Sequence, residues 1–554
     1  MTTIPARAGA PRRLEDLLSG IATGSRRSAG GHPVTPGVAV TGISCDSRSV
    51  QPGDLFVAVR GTSVDGNSYV ADALAKGASA VIADRPDLVS NGDAGRPVIL
   101  VRDSRRILAL LAANFYDHPA EDMTVVGITG TLGKTSVALM LWHLWRQAGL
   151  SAGLIGSLGI RYKDQVLPSS LTTPDALTLQ GTLSDMRNNG ITHVVMEVSS
   201  HALMQHRVRA IPFQAAVFTN LLPHEHSDYH PTFSDYLRTK KMLLDFVVPG
   251  GKVIYNSDSQ AVESILGEFS SEKVRFKIEH PFCQPHNTSS TPQAYEHQLI
   301  ADEISVSAKG SFFNLKMPVL QSAWPVQIAL LGIGSVINAV EASACALALG
   351  LSPETVVRGL KSLPPIQRRM EVIYQDQFTV IDDTCGHPES FNRLFDTVEA
   401  VHPAGIVMVI AIRGHRGVHI NKENGKCVAE WAKKIPISDL IITEGMDVTD
   451  DLNLVDPLER DAFLGELNRK AGLSYRYYLS LEDAIDAALA SVGKNELLIL
   501  AGSQGMDKGR DILGNILEYG KYHTLVCTPG ESRYIPGRPF SRSQPRPVSV
   551  PLIN

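Results

Sequence analysis

The sequence predicts an α/β fold built on parallel sheets. Short apolar runs alternate with helical patterns along most of the 554 residues, as expected where strands and covering helices follow one another. One run leads into a glycine-rich loop and then a helical pattern over Val137 to Gln147. Several runs end in polar residues, and ligand clefts of such folds lie at the carboxyl ends of the strands. We therefore expect a ligand site at those strand ends.

The length and composition are those of a globular protein with about three domains. Apolar residues make up 44% of the chain, and a net charge of −5 gives no reason to expect nucleic acid or an anionic membrane as a partner. The six cysteines lack metal-ligand spacing, which indicates free thiols in a reducing compartment. No signal-peptide pattern or membrane-length apolar run is present. We expect a cytoplasmic monomer.

The strand-like runs predict three domains, and the Pro-, Arg- and Ser-rich end of the chain predicts a tail. The N-terminal domain is expected over residues 1–120, the central domain over 121–367, the C-terminal domain over 368–525 and a flexible tail over 526–554. A hinge is expected at Leu363-Pro364-Pro365, a surface loop at Cys283–Tyr295 and a β-hairpin near Ala308-Lys309-Gly310. The predicted strands are Leu55–Val59, Ala80–Ile82, Thr124–Ile128, Val194–Val198, Ala215–Thr219, Phe378–Ile381, Ile406–Ile412, Leu440–Thr443 and Leu497–Leu500.

The glycine-rich loop, GITGTLGKTS over residues 127–136, predicts a phosphate site. Its backbone N–H groups can face phosphate oxygens, and the helix that follows adds a positive dipole. We expect Lys134 to reach the terminal phosphates of ATP and the Thr135 hydroxyl to hold Mg²⁺. Ile128 occupies the place of the first glycine in the strict pattern. The residues expected to bind nucleotide here are Thr131, Gly133, Lys134, Thr135 and Ser136.

This loop, with Thr-Gly-Thr before Gly-Lys-Thr, resembles that of the Mur ligases. The resemblance is strongest to the UDP-N-acetylmuramoyl-peptide ligases of that family, and it implies a three-domain architecture with a P-loop central parallel sheet and a Rossmann-like C-terminal domain. The further matching motifs, in chain order, are DSR (46–48), PGDLFVA (52–58), DG (65–66), LTTPD (171–175), EVSSHAL (197–203), QHRV (205–208), FTN (218–220), HSDYH (226–230) and YLRTK (236–240).

The resemblance implies roles for residues of the first two domains. Glu197 and His226 match metal ligands that act with Thr135, and Lys240 matches a lysine that is carbamylated and helps to bridge magnesium. The histidines near His226 leave a zinc site open as an alternative, although no cysteine or carboxylate set supports it. The residues expected to hold the UDP-muramoyl portion are Ser47, Thr172, Thr173, Ser199, Gln205 and Arg207.

In the last third of the chain the resemblance is partial. Arg369 and Asn338 match residues that contact ATP, and Asp383 falls on the family aspartate, which we expect to orient or deprotonate the amine. Arg416 lies near a substrate-binding arginine of the family. Gly386 stands where the family has a histidine.

The segment that reads the incoming amine departs most from the family pattern. The family's Asp-Asn-Pro-Arg is replaced by EGMDVTD over residues 444–450, and its Gly-Lys-Gly-His-Glu by GSQGMD over 502–507. Leu132 replaces the usual asparagine of the phosphate loop. Because a lost bidentate arginine removes recognition of a distal carboxylate, we expect an unusual amine acceptor.

The resemblance therefore implies an ATP- and Mg²⁺-dependent ligase that activates a carboxylate as an acyl phosphate. The expected substrates are a UDP-linked muramoyl peptide, or a related carboxylate, and an amino acid. One alternative is a Mur-like ligase of a natural-product pathway, and another is a nucleotide-binding homologue without turnover. The joint presence of Lys134, Thr135, Glu197, His226 and Lys240 argues against the second.

Overall fold

A computed structural model describes most of the chain. The described residues are 6–21, 25–28, 37–61, 64–85, 96–223, 229–267, 269–270, 272–280, 299–470 and 472–519, so the predicted loop Cys283–Tyr295 and the predicted tail lie outside them. The chain divides into two compact units, the first made of Met1–Leu221, Tyr236–Arg275 and Glu341–Thr355 and the second of Leu222–Asp235, Phe276–Val340 and Val356–Asn554. Within the described ranges, no helix is long and apolar enough to cross a membrane.

The first unit opens with a six-stranded sheet. Its elements are β1 (Ala6–Arg13), α1 (Leu14–Leu17), β2 (Ser25–Ser28), β3 (Ala39–Ser44), β4 (Asp54–Val57), α2 (Val70–Ala75), β5 (Ala80–Ala83), β6 (Pro97–Leu100) and α3 (Ser104–Phe115). The strand order is β1-β3-β4-β5-β6-β2, with antiparallel β1 and β2 at the edges and β3 to β6 parallel. β4 and β5 are buried throughout, as expected of strands covered on both faces.

The strands and helices around the phosphate loop lie mainly in the same unit. In chain order, these elements are β7 (Thr124–Thr129), α4 (Lys134–Gln147), β8 (Ala152–Gly156), β9 (Gly159–Tyr162), β10 (Gln165–Leu167), α5 (Ala176–Asn188), β11 (His193–Glu197), α6 (Ser200–Met204), β12 (Phe213–Phe218), α7 (Phe233–Lys241), β13 (Val247–Asn256), α8 (Gln260–Leu266) and β14 (Glu272–Ile278). The order is β10-β9-β8-β11-β7-β12-β13-β14. β7 pairs in parallel with β11 and β12, so the ends of these three strands meet at one edge.

The second unit contains an antiparallel meander that confirms the hairpin expected near Ala308-Lys309-Gly310. The elements are β15 (Leu299–Ser307), β16 (Gly310–Met317) and β17 (Ser322–Ile328), followed along the chain by α9 (Ile333–Ala348) and α10 (Pro353–Lys361). β15 pairs with β14 in parallel, while β16 is antiparallel to both of its neighbours.

The second unit also contains a doubly wound sheet. Its elements are β18 (Glu371–Gln375), β19 (Thr379–Asp383), α11 (Pro388–Val401), β20 (Ile406–Ala411), α12 (Val418–Trp431), β21 (Ile437–Thr443), α13 (Pro457–Asn468), β22 (Arg476–Tyr478), α14 (Leu481–Ser491), β23 (Leu497–Ala501) and α15 (Gly509–Tyr519). The order is β18-β19-β23-β20-β21-β22. All neighbours are parallel except β18, as expected for a Rossmann-like domain, and apolar clusters cover both faces.

The predicted strands are all present, with bounds that agree within three residues. The helix after the phosphate loop begins at Lys134, three residues before the predicted start at Val137. Gly133, at a φ of 88°, adopts the left-handed conformation that directs the chain into the helix one residue later. The described cysteines are free thiols, as predicted: Cys45, Cys345, Cys385 and Cys427.

Candidate active site

The phosphate loop is held in shape by the two residues that follow β12. Gly130 has a φ of 145°, and a Cβ there would collide with Thr219 Oγ1, so only glycine fits. Asn220 Oδ1 accepts from Leu132 N at 2.9 Å, and Asn220 Nδ2 donates back to Leu132 O at 3.0 Å. Thr219 Oγ1 donates to the same carbonyl oxygen at 2.6 Å. The loop is therefore fixed by side chains that directly follow a neighbouring strand.

Two lysines converge on the loop. Lys134, in the first turn of α4, donates from Nζ to Gly130 O and Thr131 O, both at 2.9 Å. Lys240, near the end of α7, is only 2% exposed, and its Nζ donates to Thr129 Oγ1 at 3.0 Å and to Gly130 O at 3.1 Å. Both ammonium groups thus contact one carbonyl oxygen, which concentrates positive charge where phosphate is expected.

Glu197 ends β11 and is 1% exposed. Its Oε2 accepts from Thr135 Oγ1 at 2.9 Å, and its Oε1 from Ser157 N at 2.7 Å. A Cβ at Gly156 would collide with Glu197 Oε1, so glycine makes room for the carboxylate. Ser157 Oγ also donates to Thr172 Oγ1 at 3.0 Å. A hydroxyl and a carboxylate side by side at a phosphate loop supply the hard oxygen ligands that suit Mg²⁺, so these residues fit the ion.

The expected ligand His226 lies outside the described residues, as does His224. His230 is described and is buried. No group of three or more histidine, cysteine, aspartate or glutamate side chains placed for a metal occurs in the part of the chain that the structure describes. The role of His226 stays a prediction.

Thr173 connects the predicted substrate residues to Glu197. Thr173 Oγ1 donates to Glu197 O at 2.8 Å and accepts from Ser199 N at 3.1 Å. Arg207 Nη1 donates to Thr173 O at 2.6 Å, and Gln205 Oε1 accepts from Arg207 Nη2 at 2.7 Å. The structure therefore brings these side chains together beside the end of β11.

Two further predicted residues lie on other elements. Ser47 is in the loop after β3, and its carbonyl oxygen accepts from Lys76 Nζ at 2.8 Å. Asn338 is a buried residue of α9.

In the second unit Asp383 ends β19 and is buried. Its Oδ1 accepts from Met370 N at 2.8 Å and its Oδ2 from Cys385 Sγ at 3.1 Å. Burial raises the pKa of Asp383, opposed by these two hydrogen bonds and by nearby arginines. A raised pKa suits a group that must accept a proton near neutral pH. Arg369 donates to Thr384 Oγ1 at 2.7 Å in the adjoining loop.

Arg416 and Arg413 lie in the loop between β20 and α12. The backbone N–H of Arg416 donates to Glu459 Oε1 at 2.8 Å. Arg413 Nη1 donates to Gly386 O at 2.8 Å. Both arginines thus lie near the carboxyl end of β20, and Arg413 is held against the loop that follows β19.

Two acidic side chains of the loop after β21 accept hydrogen bonds from other parts of the protein. Glu444 is buried, accepts a hydrogen bond from the Tyr477 hydroxyl, and lies 3.9 Å from Arg460 Nη1. Asp447 Oδ1 accepts from Leu481 N at 2.7 Å at the start of α14. These contacts stabilise a loop whose sequence over residues 444–450 contains no arginine.

Sequence reasoning missed several residues that shape the site. Each of them lies at a strand end or within a matched motif, and its position was the only sign in the sequence of a place in the site. They are Thr129, Ser157, Thr219, Asn220 and Tyr236. Tyr236, for example, pairs its hydroxyl with Thr131 Oγ1 at 2.9 Å, and its ring centroid lies 5.3 Å from Lys240 Nζ.

Comparisons with known proteins agree with this geometry. Three family models match in chain order: the Mur ligase family catalytic domain over residues 39–116, the Mur ligase middle domain over 128–346, and the Mur ligase, glutamate ligase domain over 368–504. The UDP-N-acetylmuramoyl-L-alanyl-D-glutamate–2,6-diaminopimelate ligase of Bacillus velezensis is 32% identical, over 84% of this chain and 89% of that protein. The enzyme of the same name from Listeria monocytogenes is 32% identical, over 86% and 93%.

Solved structures support the fold. MurF from Acinetobacter baumannii aligns with a TM-score of 0.64 and 20% identity, over 93% of this chain and all of that one (100%). MurF ligase from Thermotoga maritima, in complex with ADP, aligns with a TM-score of 0.59 and 18% identity, over 86% and 98%. The chain has the three-domain Mur ligase architecture, and it belongs to the Mur ligase family of ATP-dependent ligases that form amide bonds.

Proposed function

We propose that the protein joins an amino acid to UDP-N-acetylmuramoyl-L-alanyl-D-glutamate, with cleavage of ATP. The observation that carries this proposal is the cluster of Lys134, Thr135, Glu197 and Lys240 around one phosphate loop. Two relatives that are 32% identical over most of the chain are named as ligases that act on this donor. This cluster favours an active enzyme over the alternative of a homologue that only binds nucleotide. We place the reaction in the cytoplasm and expect a monomer.

The phosphate loop and Lys134 bind and neutralise ATP. Backbone N–H groups of the loop and the start of α4 face the phosphates, and Lys134 reaches the terminal ones. Thr135 and Glu197 would hold Mg²⁺, which neutralises charge on the transferring phosphoryl group when bound. The donor carboxylate attacks the γ-phosphorus, giving an acyl phosphate and ADP. Positioning and charge neutralisation supply most of the catalysis in such a step.

The second step joins the amine to the acyl carbon and releases phosphate. Asp383 is proposed to orient the amine and accept its proton. Its buried carboxylate is held in one orientation within its own unit by hydrogen bonds from Met370 N and Cys385 Sγ.

We also propose that Lys240 carries a carbamate derived from CO₂. The neutral amine adds to CO₂, forming an N–C bond and releasing one proton. Two ammonium groups that share the carbonyl oxygen of Gly130 repel each other strongly in a buried setting. A carbamate replaces one positive charge with a negative one and supplies oxygen ligands for magnesium.

Replacing Lys240 with alanine should lower kcat by roughly 10- to 100-fold, because a group that orients the metal and phosphate is removed. Added short carboxylates such as acetate should restore part of the activity by occupying the vacated space. Labelled ¹³CO₂ should give a carbamate signal in the wild type and none in K240A. The matched control is Lys241→Ala, since Lys241 is the exposed neighbour on α7. Wild-type turnover by K240A without additive would refute the role.

The experiment that tests the proposed function is a ligation assay with purified protein, ATP, Mg²⁺, the muramoyl dipeptide donor and a panel of amino acids. Mass spectrometry of the product identifies the amine that is joined. A ligase of a natural-product pathway would leave this donor unused and consume another carboxylate.

A further inference from the structure

Arg368 is a buried arginine in a backbone conformation that favours glycine. It is 8% exposed, and its φ of 56° lies in the left-handed region that residues with a Cβ rarely adopt. Backbone strain of this kind persists only where the surrounding contacts outweigh it. Arg368 belongs to no motif of the sequence analysis and has no role in the mechanism above, so its contacts must account for the strained position.

The guanidinium of Arg368 joins the end of β19 to the loop after β23. Its Nε donates to Asp382 Oδ1 at 3.3 Å, and its Nη1 donates to Asp507. Its Nη2 donates to Gly502 O at 2.5 Å and to Ser503 O at 3.2 Å. One side chain therefore fixes both ends of a loop whose sequence departs from the family pattern.

The same arginine connects the two segments that hold Asp383. The carbonyl oxygen of Arg368 accepts from Thr384 N at 3.0 Å, and Met370 N, two residues further on, donates to Asp383 Oδ1 at 2.8 Å. From the other segment, Gly502 N donates to Asp383 O at 3.1 Å. The guanidinium thus binds the loop that contacts the backbone of Asp383, while the backbone of Arg368 leads into the residue that contacts the carboxylate.

A buried carboxylate balances the charge of Arg368. Asp382 is 0% exposed. Burial raises the pKa of Asp382 to about 6, with Arg368 opposing the rise and Asp383 and Glu371 adding to it. Burial also raises the pKa of Asp383, opposed by the hydrogen bonds given above and by the charges of Arg369 and Arg368. The ionised form of both aspartates is therefore favoured by Arg368.

We propose that Arg368 is a positioning residue for the amine-joining step, holding the end of β19 and the loop after β23 together so that the Asp383 carboxylate keeps one orientation. This assignment rests on the proposed function for the role of Asp383 as the group that accepts the proton of the amine. The positive charge of Arg368 acts in the same sense, because it favours the ionised form of Asp383 that can take up a proton. Asp382 is the buried counter-charge, since an unpaired guanidinium in the interior would be costly.

Replacing Arg368 with glycine removes the guanidinium and suits the left-handed backbone. We expect kcat for ligation by R368G to fall by up to roughly 100-fold, because a small displacement of a reacting group has an effect of that size. Asp382 loses its counter-charge in this variant, so the unfolding temperature should fall as well.

The double variant R368G/D382N separates positioning from stability. It contains neither buried charge, so its unfolding temperature should return toward that of the wild type. Its kcat should stay reduced, because the loop after β23 is still not held. Recovery of kcat together with the unfolding temperature would overturn the proposal, since Arg368 would then only stabilise the fold.

The pH dependence of kcat at saturating substrates gives a readout that a loss of stability does not move. Asp383 must be ionised to accept a proton, so the acid side of the profile follows its pKa. R368G removes a positive charge that lowers this pKa, so activity should fall off at a higher pH than in the wild type. D382N removes a neighbouring negative charge and keeps an oxygen acceptor for Arg368, so the fall should occur at a lower pH.

The matched control is Arg510→Gln. Arg510 Nη1 donates to Glu371 Oε1 at 3.0 Å, so this variant also deprives a buried carboxylate of a cation, but none of the described contacts of Arg510 involves Asp382 or the loop after β23. R510Q should keep the wild-type pH profile. Profiles that shift in the same direction in R368G and D382N, or an unshifted profile with wild-type kcat in R368G, would overturn this inference alone. A wild-type protein that forms no product with any amine would overturn the proposed function as well.

Discussion

Replacing Lys134 with alanine should lower kcat/KM for ligation by roughly 100- to 1000-fold, the usual effect of removing a group that stabilises charge in the transition state. Lys134 lies in the first turn of α4 and contacts the phosphate loop through Gly130 O and Thr131 O. Its side chain is half-buried and belongs to no apolar cluster, so the fold should remain intact. Steady-state ADP release measures the loss of turnover, and the unfolding temperature checks that the fold is intact.

The matched control is Arg146→Ala, which removes a cation from the exposed end of the same helix. R146A should ligate at the wild-type rate. Near-normal turnover in K134A would contradict the assignment of the phosphate loop.

Lysine and meso-diaminopimelate should be poor acceptors for this protein. The loop after β21 contains no arginine that could pair with the carboxylate of a free diamino acid, and its Glu444 and Asp447 are engaged with Tyr477 and the start of α14. Losing a buried charged pair costs about 2–5 kcal/mol of recognition, or roughly 30- to several-thousand-fold in specificity. Because the similar proteins are named as diaminopimelate ligases, the choice of amine acceptor is the clearest expected difference between them and this protein.

The measurement is kcat/KM for both amino acids with UDP-N-acetylmuramoyl-L-alanyl-D-glutamate as the donor. Efficient turnover of either one would contradict the prediction and show that another arginine replaces the missing one. Arg413 and Arg416, which lie in the loop after β20, are the substitutes to replace by alanine in that case.

The phosphate loop and Glu197 could be located from sequence because each follows a buried apolar strand. Parallel strands place their carboxyl ends together, so the contact between Thr135 and Glu197 follows from the strand pattern once β7 and β11 are neighbours. The start of α4 could not be placed, because it depends on the left-handed conformation of Gly133.

The burial of Lys240 and the contact of Arg368 with Asp507 were beyond sequence reasoning. A charged residue of α7 is expected at the surface, and only the loop geometry shows that Lys240 Nζ has hydrogen-bond partners inside. Arg368 and Asp507 are 139 positions apart, and periodicity carries no information about side-chain contacts at that separation.

We infer that this protein couples ATP cleavage to joining a carboxylate and an amine. The most direct measurement is ADP release by the purified protein with Mg²⁺, when the muramoyl dipeptide and a panel of amino acids are supplied together or one at a time. We predict that ADP and ligated product form in equal amounts only when donor and amine are both present. ADP release that ignores the donor, or no ADP with any amine of the panel, would contradict the claim.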